Sequence, residues 1–214
     1  MRKIRAFSNG LRNGAWSEQK FTNLTPYSPY STEISKIVKE NTKSLNNQKG
    51  TFIKRYHPIN EFFHPINEKN IKKVIDSVPS KFLSDLRGIF LCGGTHKQKQ
   101  FSELRFGTYH DHYKAIFLFP FPKTKCLWYN TMPKPSIRLS YERHGATWIA
   151  EDSKWRLQFD EKSIHSFYLN DVLFHELGHH IENISHDIKH KNYEQRERFA
   201  EWFALEFGIK GRGK

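Results

Sequence analysis

The sequence predicts an α+β domain, and three observations carry that expectation. An apolar repeat of helical spacing covers residues 71–78, a run of short strand-like segments follows it, and the last third of the chain returns to helical periodicity. A helix, several strands and then two helices pack as a twisted mixed sheet of about 4–6 short strands against the C-terminal helix pair. Residues 1–50 read instead as a basic, polar N-terminal arm, flexible in composition, which leaves 51–214 as the folded domain.

In the arm, "NLTPYSPYSTEIS" and "KENTKSLNNQKG" are rich in Ser, Thr, Asn, Pro and Lys, and only a short helix at 33–40 is expected. The pentapeptide His-Pro-Ile-Asn-Glu then occurs twice, at 57–61 and 64–68. His57 and His64 each precede a proline, which disfavours helix there, so the pair reads as two turns. Ile71, Val74, Ile75 and Val78 follow the 0, 3, 4, 7 pattern of an amphipathic helix, with Asn67 as its cap and Pro79 as its stop. A further short turn is expected around Phe82, Leu83 and Leu86. "GIFLC" reads as a buried strand closed by Gly93-Gly94, and "SELRFGTY" and "KAIFLF" as a hairpin around "HDHY". "SIRLSY", "ATWIA" and "WRLQF" are three more strand candidates. The prolines after "AIFLF", Pro120 and Pro122, suggest that it forms a sheet edge. One C-terminal helix is expected from Asn170 or Asp171 to Asn183, and another from Asn192 to Phe207.

Charge and composition narrow the function classes. The net charge is +13, yet residues 1–56 hold 11 Lys/Arg against 3 Asp/Glu, whereas residues 171–206 hold 4 against 8. The basic arm could meet nucleic acid or an acidic partner, although no basic helix with interleaved aromatics supports a dedicated nucleic-acid motif. No apolar run approaches the roughly 18 residues of a membrane span. The first residues lack the apolar core of a signal peptide, so a cytoplasmic protein with no membrane partner is expected. Two cysteines, Cys92 and Cys126, are too few for a disulfide framework or a cysteine-rich zinc site.

Chemistry concentrates in "LFHELGHHIE", residues 173–182. It contains His175-Glu176-Leu177-Gly178-His179, the H-E-x-x-H pattern. Histidines four apart on a helix lie one turn apart on one face, so both imidazoles can reach one ion while Glu176 touches a water beside it. Leu173, Leu177 and Ile181 supply an apolar stripe to anchor the helix. Gly178 weakens a helix interior by about 1 kcal/mol relative to alanine and asks for a packing reason, such as the close approach of another element. A catalytic zinc needs a third protein ligand. Glu197, in "ERFAEWFALEF", shares a helical face with Ala200, Glu201 and Ala204, and the alanines would let that face lie close to the motif helix. Phe199, Phe203 and Phe207 would fill the core beside it. Glu201, one turn beyond Glu197, is placed to support a ligand histidine by a hydrogen bond.

His-Glu-Leu-Gly-His followed by Glu-Arg-Phe-Ala-Glu-Trp-Phe resembles the gluzincin metallopeptidases, in which a helix-borne glutamate completes a two-histidine zinc site. The second segment is similar to that of the anthrax lethal factor-like peptidases, and its looser spacing to that of the ImmA/IrrE-type peptidases. The resemblance covers residues 171–206. It implies a small zincin-like domain, an intracellular zinc endopeptidase binding one Zn2+, with His175, His179 and Glu197 as ligands and Glu176 as general base. Its substrate would be a protein or peptide. Lethal factor-like enzymes carry an oxyanion-stabilising tyrosine seven residues before the ligand glutamate. That position here is His190, with Tyr193 three residues later, and both are candidate donors. Two alternatives stand beside this expectation: a nucleic-acid-associated protein whose basic arm delivers the protease domain, and a non-enzymatic binding module with structural zinc.

Overall fold

The computed structural model describes residues 3–4, 28–47, 50–100, 104–185 and 192–212, which form a mixed α+β fold. In chain order the elements are β1 (Lys3–Ile4), α1 (Pro29–Asn47), β2 (Phe52–Arg55), β3 (Phe62–Phe63), α2 (Glu68–Ser77), β4 (Gly88–Leu91) and α3 (His96–Gln100). There follow β5 (Leu104–Arg105), β6 (Gly107–His110), β7 (Ala115–Leu118), β8 (Phe121–Pro122), β9 (Cys126–Tyr129) and α4 (Pro135–Glu142). The chain then forms β10 (Thr147–Glu151), β11 (Lys154–Gln158), α5 (Glu161–Phe167), α6 (Leu173–Ile184) and α7 (Tyr193–Phe203).

The central sheet has four strands in the order β2-β4-β7-β6. β2, β4 and β7 run parallel, and β6 pairs antiparallel with β7 on the outer edge. Because side chains alternate across a strand, β4 and β7 feed two cores. Ile89, Leu91, Ile116 and Leu118 join the main core with Ile71 and Val74 of α2, Leu173 and Leu177 of α6, and Phe203 of α7. Phe90, Cys92, Phe117 and Phe119 face the other way, onto Tyr30, Ile34, Ile37 and Leu45 of α1. Covering on both faces is why these strands read as unbroken apolar runs. Three antiparallel strands, in the order β10-β11-β9, add Leu127, Tyr129 and Leu157 to the main core.

Several local expectations hold. Helix α2 is capped by Asn67, whose side chain accepts from the Asn70 N–H while the Asn70 side chain accepts from the Asn67 N–H. β6 and β7 form the hairpin around "HDHY". Among the described residues no helix is long and apolar enough to cross a membrane.

Four expectations are corrected. The short helix foreseen at 33–40 is part of a 19-residue helical segment, α1, kinked at Asn41 and packed on the sheet. Its buried residues recur at helical spacing within a polar sequence. Residues 1–2, 5–27 and 48–49 of the basic arm lie outside the described residues. "AIFLF" is not an edge, since β7 is bonded on both sides, and its prolines follow the strand rather than interrupt its ladder. "SIRLSY" is helix α4: Pro135 sits in its first turn, Ile137, Ser140 and Tyr141 are buried, and Leu139 is 60% exposed. A proline is well placed in a first turn, where its missing N–H is not needed. Finally, neither Asn170 nor Asp171 caps the motif helix. The helical path begins at Asp160, whose carboxylate accepts from the Ser163 N–H at 2.6 Å, and passes through a π-type turn at Tyr168–Val172 directly into α6. Asp171 is instead buried and accepts from His144 Nε2 at 3.2 Å, with Arg143 at 3.8 Å.

Candidate metal centre

His175 and His179 project from one face of α6, and Glu197 projects from α7 across the helix–helix interface. The two Nε2 atoms are 3.2 Å apart. Glu197 places Oε2 3.5 Å from His175 Nε2 and Oε1 3.3 Å from His179 Nε2. Among the described residues this is the one cluster of three or more potential metal-binding side chains. Its edge lengths test whether it fits an ion. A tetrahedral centre with ligand bonds of about 2.0–2.2 Å has ligand–ligand edges of roughly 3.3–3.6 Å. The three separations lie at or near those edges, the two carboxylate ones running to different oxygens of Glu197. With one ligand atom from each residue the donors lie within 4.8 Å of one another, so the group could bind a metal ion. Burial also demands a partner, because His175 is only 1% exposed and a buried anion without compensation is costly. Burial holds His175 well below the ordinary imidazole range, keeping it neutral and able to act as a ligand. Burial opposes charge on Glu197, and His179 and His175 beside it favour the ionised carboxylate.

The close approach of the two helices explains Gly178. A Cβ there would lie 2.8 Å from the Ala200 Cα and 3.3 Å from the Ala200 Cβ. Both residues must therefore be small for the histidines and Glu197 to meet. Phe203 and Ala204 are buried beside this contact, with Phe199 and Phe207 packed against the core. Arg196 Nε donates to Glu182 Oε2 at 2.7 Å, tying α7 to the C-terminal turn of α6. At its start, α7 is capped by Asn192, which accepts from the Gln195 N–H at 2.9 Å.

Glu176 points to another side, toward β6. Its Oε2 accepts the main-chain N–H of Tyr109 at 2.7 Å. Tyr193, in the first turn of α7, hydrogen-bonds Glu197 and lies within the field of Glu176. Burial first, then the Glu197 charge and that hydrogen bond, push its phenol up, so it remains a neutral O–H donor at the centre's edge. Glu201 lies one turn beyond Glu197, half-buried. His190 falls outside the described residues.

The structure thus brings His175, Glu176, His179, Glu197 and Tyr193 to one place. Sequence reasoning missed Tyr109 and Gly107 on the facing strand, and it missed His180 on the motif helix. His180 is buried on the Glu176 side of α6 and bonded to Tyr109 and Ser84. Asp171 with His144 was also missed; the Asp160–Ser163 pair, a capping box in sequence, could have moved the helix start and exposed Asp171 as interior. No family model, no curated protein and no solved structure matches the chain.

Proposed function

We propose that the chain is a zinc-dependent endopeptidase of the gluzincin type, with a zincin-like sheet edge lying over the motif helix. The observation that carries this reading is the triangle of His175, His179 and Glu197 with Glu176 held beside it. Two imidazoles and one carboxylate are the donor set of a hydrolytic zinc rather than of a calcium or magnesium site, which takes oxygen ligands. Bound there, zinc would supply Lewis acidity toward a water and the scissile carbonyl. Glu176 takes the proton of the attacking water and returns it to the leaving amine. Tyr193 donates its O–H to the developing oxyanion. Peptide substrate lies extended beside β6, the strand next to Glu176, and bonds those outward main-chain groups of the strand that Glu176 does not engage. The adjacent β5 already accepts a strand in this manner, since Lys3–Ile4 pairs antiparallel with Leu104–Arg105.

The test compares wild type with Glu176→Gln on a peptide library, with zinc measured on the same samples. Loss of general-base help lowers the rate by about 10²–10⁴-fold while zinc content and fold persist. Equal cleavage by both proteins excludes Glu176 as the base. A second reading, a binding module with structural zinc, is favoured by the burial of the donors, Glu197 keeping only 14% of its side chain exposed. It predicts zinc in both proteins and cleavage by neither.

A further inference from the structure

We infer that Tyr109 is the positioning residue for Glu176: its main-chain N–H fixes one carboxylate oxygen, and its phenol is locked to the same helix that carries the glutamate. The inference rests on the peptidase reading for what Glu176 does, and on geometry alone for how it is held.

The lock follows from hydrogen-bond bookkeeping around His180. Its Nε2 lies 2.9 Å from the Ser84 carbonyl oxygen, which can only accept, so Nε2 carries the proton. Nδ1 is then an acceptor, and the Tyr109 phenol, 3.2 Å away, donates to it. Asn183 Nδ2 donates to the phenol oxygen at 2.9 Å. Each group in this partly buried chain has one role, and the roles do not conflict. Glu176, His180 and Asn183 stand at 0, 4 and 7 along α6, on one helical face. That face presents the glutamate in its first turn and, in later turns, the two residues that clamp the strand orienting it.

Strand geometry makes the contact specific. Phe119 donates its N–H to the Phe106 carbonyl at 2.8 Å, which fixes Phe106, Thr108 and His110 as the residues bonded toward β7. Gly107 and Tyr109 therefore turn their main-chain groups outward, and the Tyr109 N–H meets Glu176 Oε2 at 2.7 Å. Gly107 supplies the room: a Cβ there would stand 2.8 Å from Glu176 Cγ and 2.9 Å from Oε1. The carboxylate is seated between a bare glycine and a fixed donor, with Oε2 engaged and Oε1 over Gly107.

The experiment reads the Tyr109 amide by 15N–1H NMR in metal-free, full-length protein. In wild type the amide proton lies downfield and exchanges slowly. Glu176→Gln removes the charged acceptor and moves it upfield. Tyr109→Phe removes only the phenol; it moves the same amide upfield and speeds its exchange by about tenfold. Asn183→Ala, which leaves the ring and His180 in place, shifts it in the same direction by less, and it provides the reading if Tyr109→Phe does not fold. On the best-cleaved member of a quenched-fluorescent peptide library, Tyr109→Phe lowers kcat by about 10–100-fold with KM nearly unchanged. An amide that ignores Glu176→Gln, or that responds to it but ignores both phenol-lock variants, overturns the inference. An amide that behaves as stated in a protein that cleaves nothing upholds the positioning and removes the peptidase reading.

Discussion

The side of α6 that meets α7 and the side that meets β6 follow different rules. Toward α7, His175 and His179 converge with a glutamate from the next helix, and Gly178 against Ala200 sets their distance. Toward β6, Glu176, His180 and Asn183 engage one tyrosine that lies 67, 71 and 74 residues earlier in the chain. The first side places donors that could hold a metal ion by helix spacing on two consecutive helices. The second places a carboxylate by a hydrogen-bond chain that exists only once the sheet has formed. The donor side is therefore written in local periodicity, and the orienting side is a product of tertiary packing.

The largest expected effect on this comparison comes from Tyr193, which stands beside the donor side. Tyr193→Phe should lower kcat by about 10²–10³-fold if it is the oxyanion donor, with zinc content unchanged. A rate equal to wild type would move that role elsewhere, and His190→Ala would be the next variant to assay.

The helix contact is tested by Gly178→Val. Its side chain would meet the Ala200 main chain, and overpacking of this kind costs about 1–3 kcal/mol. Denaturant unfolding should show that loss together with weakened zinc binding. Full stability and full zinc content would mean that the helices part without cost and that the small residues are incidental.

Acid distinguishes the orienting side. Burial pulls His180 down to about 4, and it does the same to His64, which hydrogen-bonds the Cys92 carbonyl just beyond β4. Both are lowered below the unfolded value near 6.5, so the unfolded chain binds more protons between those limits. Their contribution is complete above about pH 6.5 and falls as pH drops toward 4, on the order of 2 kcal/mol for each histidine by pH 5. Unfolding of metal-free wild type and His180→Gln at pH 7 and pH 5 checks the sign, since the variant should lose less stability on acidification. An equal loss in both would show that His180 is not held neutral.

A smaller effect is expected at Glu201. Glu201→Ala should weaken zinc affinity by about 10–100-fold if its carboxylate supports a ligand histidine. Competition with a fluorescent chelator measures this, and unaltered affinity would leave Glu201 as a helix-surface acid.

These contrasts also explain how far the sequence could be read. α2, the β6–β7 hairpin and α7 were legible because a cap or turn and an apolar period coincide in each. "SIRLSY" misled because Ile137, Leu139 and Tyr141 alternate as in a strand, although Pro135 marks a helix start and Leu139 is left in solvent. In α1 the apolar positions Tyr30, Ile34, Ile37 and Leu45 are widely spaced among polar residues, so composition concealed the period. Within the site, His175, His179 and Glu197 follow from spacing on two neighbouring helices. Tyr109 and Gly107 do not, because nothing local to "RFGTYH" says that the strand will border the motif helix.

The central claim is that these three side chains form one metal-binding unit across the α6–α7 interface. Its most direct test is zinc stoichiometry of the purified chain by elemental analysis, beside His175→Ala and Glu197→Ala. About one zinc per chain in wild type and none retained by either variant is the predicted result. Zinc retained in full by Glu197→Ala would contradict the account, because the carboxylate of α7 would then be a neighbour of the site and not one of its ligands.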